Sequence, residues 1–351
     1  MGERRISAEE LLQFVMAVLS RLGVPGDEAR IVAGVLVSAD LRGVESHGVG
    51  RLHFYVDDLV LGRVRPVAET RVLSEWPSLA LFDGGKSLGA VVGHRAMLHC
   101  LDMAERAGMA SVTVTNSNHY GIAGYYAMMA LERDMIGLSL TNSRAHTVPT
   151  FGRQAMLGTN PIALAVPAGE ERPWVLDMAT SAIPLGKVEV AQRKGIPLRE
   201  GLAVDAKGLP TTDPEMVLAG GALLPLGGPA ETAGYKGYGL SVLVDILTGV
   251  LSGGGYCAAM SPVWCESPTS HFFAAIRIDA VRPVAEFKAM MDRMIRDLRN
   301  SPKAEGQSRI MVAGEPEYEA ETQRRREGIP LGAKVVEELE QIGARVGVTL
   351  P

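Results

Sequence analysis

Val114-Thr115-Asn116-Ser117-Asn118-His119 reads as a strand breaking into a polar turn, and Leu140-Thr141-Asn142-Ser143-Arg144-Ala145-His146 repeats the pattern. Both apolar runs end in Thr-Asn-Ser with a histidine shortly after. Two strands of one sheet would deliver these polar ends to the same rim, where loops carry function on a rigid scaffold. Asn and Ser also cap ordinary turns, so the echo alone leaves that alternative open. Working outward, residues 78–82, 161–166 and 271–278 form further short apolar runs of strand character. Between them, residues 89–106 and 119–133 carry the apolar spacing of amphipathic helices.

The ends of the chain have a different texture. Ser7 with Glu10 forms a capping box, and Ile6 can staple against Leu11. Leu11, Leu12, Val15, Met16 and Leu19 then mark one helix face, and helices over 27–40 and 46–61 follow. From Pro283 the pattern is helical again, over 284–299, 317–326 and 333–345. The expected plan is an N-terminal helical segment over 1–66, a central α/β domain over 67–282 and a C-terminal helical segment over 283–351.

With 351 residues, 47% hydrophobic and 21% charged, the chain has the balance of a folded protein with ample core rather than of a disordered one. A net charge of -5 gives no reason to expect nucleic acid or an anionic membrane as partner. The three cysteines, Cys100, Cys257 and Cys265, form no disulfide framework. The opening MGERRISAEE lacks the apolar core of a signal peptide, and the most apolar stretch, 239–255, is interrupted by Asp245. A cytoplasmic location is the expectation.

Several catalytic motifs are missing. Gly186-Lys187 lacks the upstream glycine of a phosphate loop, and no Gly-x-Ser-x-Gly elbow occurs. Gly253-Gly254-Gly255-Tyr256-Cys257-Ala258 approaches a dinucleotide fingerprint but follows an apolar helix, where the motif needs a strand. The histidines and cysteines lack zinc-ligand spacing, so no metal is expected.

What remains is Glu45-Ser46-His47-Gly48-Val49-Gly50-Arg51-Leu52-His53-Phe54-Tyr55. If helical, it lines His47, Arg51 and Tyr55 along one face. That stripe offers a group titrating near neutrality, a planar cation for a carboxylate and a phenol. Such a set suits reduction of a 2-oxo acid; the solvated face of an ordinary amphipathic helix would share the spacing. His119, read as opening a helix, would be kept neutral by the helix dipole. Lys236, among glycines before an apolar helix, would suit a pyrophosphate or be a solvated turn lysine.

Taken in order, Glu45-Ser46-His47-Gly48, Arg51, Tyr55, Asn116-Ser117-Asn118-His119-Tyr120-Gly121, Gly158-Thr159-Asn160-Pro161, Asp177-Met178-Ala179-Thr180, Gly186-Lys187 and Lys236-Gly237-Tyr238-Gly239-Leu240 resemble the type 2 malate/L-lactate dehydrogenase family, also called sulfolactate dehydrogenase-like. The likeness covers roughly residues 5–345. It implies an α+β, non-Rossmann fold in which a mostly antiparallel sheet flanked by helices binds NAD or NADP, NAD being favoured, with the two helical ends of the chain packed together. It implies a homodimer acting on a small carboxylate. His47 and His119 become the acid/base candidates, with His47 the expected proton donor and His119 orienting or polarising the carbonyl. Ser46, Arg51 and Tyr55 are the implied substrate contacts. Ser143, Asp177, Met178, Ala179, Lys236, Gly314 and Glu315 are the implied cofactor contacts. Ala313 departs from the family's proline, and the stretch 258–270 is unusual. Relatives of this kind also reduce cyclic imino acids or oxidise ureidoglycolate and sugar acids, and a binding protein that retains the fold is a further alternative.

Overall fold

Ser7 accepts the amide of Glu10 while the Glu10 carboxylate accepts the Ser7 amide, so the capping box predicted from the sequence starts the first helix. The computed structural model describes residues 4–260 and 268–351; Cys265 and most of the unusual stretch 258–270 lie outside the described residues. The N-terminal segment comprises β1 (Arg4–Ile6), α1 (Ala8–Arg21), α2 (Gly26–Leu41), two single 3-10 turns (Glu45–His47 and Val49–Arg51) and α3 (Leu52–Val60). The centre begins with β2 (Arg71–Trp76), β3 (Leu79–Asp83), α4 (Gly89–Ala107), β4 (Met109–Ser117), α5 (Ala123–Met129), β5 (Met135–Thr141), β6 (Ile162–Val166) and β7 (Trp174–Met178). It continues through α6 (Leu185–Lys194), β8 (Ala203–Val204), α7 (Pro214–Leu218), β9 (Ala222–Leu223), α8 (Gly234–Asp245) and β10 (Thr269–Arg277). The chain closes with α9 (Val284–Asn300), α10 (Glu315–Glu327), β11 (Ile329–Leu331) and α11 (Ala333–Val346).

Seven strands form the main sheet in the order β2-β3-β4-β10-β5-β6-β7. Every neighbouring pair is antiparallel except β3–β4, which the crossover helix α4 joins in parallel. β10 runs antiparallel to both β4 and β5, so those two strands point the same way and their Thr-Asn-Ser ends reach one rim. Alternation along β10 divides the core. Phe273 and Ala275 join the main cluster with α4, while Phe272 and Ala274 pack with Leu140 and Val244 on the other face. β2 escaped sequence detection because it is an edge strand exposed at all its residues, with no buried face to impose alternation.

The chain ends meet: β1 pairs β11 from Arg4↔Leu331 to Ile6↔Ile329, α11 contacts α1 and α3, and α10 contacts α2. Within the C-terminal segment expected over 283–351, α9 docks on the loop between β6 and β7. Its Asp292 accepts the amides of Gly169, Glu170 and Glu171 at 2.9, 2.9 and 3.1 Å, between β6 and β7. A small satellite core of Val188, Ala191, Leu198, Ala203, Val217 and Leu223 supports α6 beside the rim.

Three local expectations also change. The helix expected over 46–61 is broken at Gly48, which is extended (φ -82°, ψ -160°) between the two 3-10 turns. His119 does not open a helix; Gly121 turns the chain at φ +83° and α5 begins at Ala123. The apolar helix before the triple glycine starts at Gly234 and ends in a π-helical segment, Ile246–Val250. Among the described residues no helix is long and apolar enough to cross a membrane.

Candidate active site

The break at Gly48 has a visible cause. Asp40, buried near the end of α2, accepts the Val49 amide at 2.7 Å. A Cβ on Gly48 would stand 1.8 Å from Asp40 Oδ1, so only glycine lets the chain pass. Burial pushes the Asp40 carboxyl up to about 7, against the opposing effect of the Val49 amide. Arg324 on α10 braces the same loop, donating to the Asp40 carbonyl and to Glu45, each at 2.6 Å.

This loop presents three of the expected residues. Arg51 donates its Nε to the Ser46 carbonyl at 2.6 Å, and Ser46 Oγ lies 2.9 Å from His47 Nδ1. The His47 ring stacks on His119, with centroids 5.5 Å apart and planes 20° from parallel. Tyr55 belongs to α3 and is buried; its hydroxyl lies 2.7 Å from His119 Nδ1. The Gly121 amide also points at that nitrogen, at 3.4 Å. Nδ1 therefore accepts, and the proton of the neutral ring resides on Nε2.

Both histidines are neutral at pH 7. Burial, then the Arg51 charge, lowers His47 to about 4. Burial holds His119 well below the usual range, with smaller contributions from His47, Arg51, His271 and Arg144. Beneath them, fully buried His271 lies 2.8 Å from Ser117 Oγ through Nε2 and 2.8 Å from Thr141 Oγ1 through Nδ1. Its ring stacks on Tyr120 at 4.4 Å, and burial pulls it down to about 3. It ties the ends of β4 and β5 together, a role that its place in an apolar strand run does not announce.

A cavity of about 210 Å³ opens here. Ser46, His47, Arg51 and Phe54 line it from the N-terminal segment, and His119, Tyr120 and Gly121 from the turn after β4. Thr141, Asn142, Ser143, Arg144 and His146 come from the repeat of that turn after β5. The satellite unit contributes Pro184, Leu185, Gly186 and Glu189. Phe54, Arg144, His146 and Glu189 were not among the expected contacts, although the Thr-Asn-Ser echo already placed the loop bearing Arg144 and His146 at the rim.

The residues expected to hold a cofactor do not converge on one point. Ser143 reaches the cavity, its hydroxyl accepting the Thr159 amide at 3.0 Å. Asp177 Oδ2 accepts the Gly124 amide at 2.7 Å, in the first turn of α5. Met178 closes β7, and Ala179 follows it. Gly314 (φ +94°) caps α10 with its Cβ position against Val175, and Glu315 accepts the Val312 amide at 3.1 Å and pairs with Arg299 at 2.5 Å. Lys236 stands exposed in the first turn of α8. Among the described residues no three His, Cys, Asp or Glu side chains cluster to hold a metal. Burial pushes the thiols of Cys100 and Cys257 up to about 12, so neither is a thiolate nucleophile at neutral pH.

The model of a family described as malate/L-lactate dehydrogenase matches residues 6–340. The malate dehydrogenase of Pyrococcus abyssi is 48% identical over 346 residues, covering 98% of this chain and 95% of that one. The L-sulfolactate dehydrogenase of Methanocaldococcus jannaschii is 37% identical, covering 98% of each. The solved structure of malate dehydrogenase from Pyrococcus horikoshii superposes with a TM-score of 0.93 at 46% identity, covering 99% of this chain and 97% of that one.

Proposed function

Because this chain belongs to the malate/L-lactate dehydrogenase family, we propose that it interconverts small 2-oxo and 2-hydroxy acids at the cavity beside His47 and His119, using NAD(H) in preference to NADP(H). The observation that carries the reading is a pair of stacked, neutral histidines next to an arginine whose Nε is already committed to Ser46. Its two remaining guanidinium nitrogens suit a substrate carboxylate.

The residues present fit a nicotinamide dinucleotide. Hydroxyls of Ser143 and Thr159 on the rim suit a carboxamide, and Lys236 in the first turn of α8 suits a phosphate charge. Asp177, Met178, Ala179, Gly314 and Glu315, around β7 and the start of α10, are proposed as further contacts. The fold would bind it without a Rossmann unit: the sheet is antiparallel save for one pair, and the triple glycine follows a π-helical segment rather than a strand. When bound, the cofactor supplies the hydride.

Arg51 orients the carboxylate, which places the neighbouring carbonyl oxygen against the histidines. The break at Gly48 takes His47 off the helix face it was expected to share with Arg51. We assign the carbonyl oxygen to His119, whose Nδ1 accepts from Tyr55 and whose ring proton sits on Nε2. A bound carboxylate offsets the Arg51 charge, so proton affinity at His119 rises when substrate binds. His47, stacked upon it with Ser46 at its Nδ1, disfavours a positive charge on His119. Tyr55 acts here through His119 rather than on the substrate.

Free thiols at Cys100 and Cys257 accord with a cytoplasmic setting. Exposed Leu243, Ile246, Val250 and Leu251 along α8 and its π-helical end supply an apolar face for a second copy, as a homodimer needs. Absorbance at 340 nm with NADH or NADPH, tested against 2-oxo acids and a cyclic imino acid, checks the reading. Turnover of the imino acid alone, or of nothing, overturns it.

A further inference from the structure

A planar cation is fixed only when both an edge and a face are held. One edge of Arg51 is held by the bond from its Nε to the Ser46 carbonyl, which leaves the guanidinium plane free to swing about that bond. The face is met by Phe54, three residues on at the start of α3, whose ring centroid lies 5.4 Å from Arg51 Cζ. The Phe54 ring also lies against His53, with centroids 3.9 Å apart, and His53 Nδ1 donates to the Gly50 carbonyl at 2.8 Å. Contacts therefore run from the second 3-10 turn through His53 and Phe54 back to Arg51. Leu52, Tyr55 and Val56 bury the core face of the same helix, whereas Phe54 joins none of the apolar clusters among the described residues. It is half-buried and lines the cavity with Arg51 and His47.

The negative face of an aromatic ring attracts a guanidinium within about 6 Å of its centroid, and the attraction grows where water is excluded. We propose that Phe54 is a positioning residue: its ring fixes the plane of Arg51, so that the two nitrogens not bound to Ser46 present one edge to the substrate carboxylate. The proposal rests on the reading of Arg51 as the partner of that carboxylate. Holding the plane in advance spares the ordering cost of docking, and it does so alike for bound substrate and transition state. The effect therefore falls on KM rather than on kcat. Leucine fills much of the same space but offers no π-face, whereas tyrosine keeps one.

The test is a double-mutant cycle between Phe54→Leu and Arg51→Gln, with Phe54→Tyr as the conservative variant. Steady-state reduction is followed at 340 nm with NADH and whichever of oxaloacetate and pyruvate the wild type reduces faster, and NADH affinity is measured separately by fluorescence titration. Phe54→Leu should raise KM about two- to thirty-fold, the range for a cation–π contact from exposed to desolvated, with a smaller change in kcat and unchanged NADH affinity. Phe54→Tyr should stay within about two-fold of the wild type, because the ring face survives. With Arg51→Gln already in place, adding Phe54→Leu should change kcat/KM by less than about two-fold, since the cation it would orient is gone. An unmoved KM in Phe54→Leu overturns the proposal, as does a loss in Phe54→Tyr as large as in Phe54→Leu. A loss of equal size with and without Arg51 also overturns it, and would make the ring a direct substrate contact. An Arg51→Gln variant with unchanged kcat/KM, or a wild type that reduces neither acid, instead overturns the reading of the site on which the proposal stands.

Discussion

Tyr55→Phe separates two roles for one phenol. Spacing from Arg51 suggests that Tyr55 holds substrate, whereas the structure directs its hydroxyl to His119 Nδ1 at 2.7 Å. Phenylalanine preserves the buried ring and removes that contact, leaving Nδ1 with the Gly121 amide at 3.4 Å. A net hydrogen bond is worth about 0.5–1.5 kcal/mol. If that energy is felt wholly in the transition state, kcat falls roughly two- to thirteen-fold. KM should hardly move, because the carboxylate is held elsewhere. Since the phenol donates to an unprotonated nitrogen, its loss also lets the His119 pKa rise from its depressed position. The assay is steady-state reduction of a 2-oxo acid at 340 nm across pH, with NADH binding as the control for folding. A raised KM at unchanged kcat would refute the positioning role and restore direct contact with substrate. A loss of a hundred-fold or more, matching His119→Ala, would make the phenol itself the proton donor.

His119→Ala should lower kcat by about 10²–10⁴-fold while NADH still binds, and a larger loss in His47→Ala would reverse the assignment of the two rings. Arg51→Lys should raise KM for a 2-oxo acid about ten-fold or more, and an unchanged KM would place the carboxylate elsewhere. Gly48→Ala forces a Cβ within 1.8 Å of Asp40 Oδ1 and should destabilise the fold by about 1–3 kcal/mol in urea melts; an unmoved midpoint would mean that Asp40 swings aside. Fully buried His271 is lowered to about 3, so its stabilising contribution is complete above about pH 6.5 and is lost as pH falls towards 3. At pH 5 that loss is about 2 kcal/mol, and His271→Gln should flatten the fall in thermal midpoint between pH 7.5 and 5; equal slopes would refute it.

Local patterns were legible without coordinates. The Ser7–Glu10 capping box, the strand cores and most helices are encoded within a few residues of chain, where side-chain periodicity and capping act directly. The repeated Thr-Asn-Ser ends announced a common rim, and the candidate residues Ser46, His47, Arg51, His119 and Ser143 all line the cavity there. Tertiary structure decided how they meet. The helix expected through Gly48 is broken by a carboxylate from the preceding helix, because its lost intrahelical bonds are replaced by the Asp40–Val49 contact. Tyr55 meets His119, 64 positions away. His271 joins Ser117 and Thr141 across 154 and 130 positions. Arg144 and Arg51 become neighbours of one cavity only when the N-terminal turn docks against the sheet rim. Such pairings depend on strand order and on which polar groups burial leaves to satisfy one another, and neither is written in the spacing of a single segment.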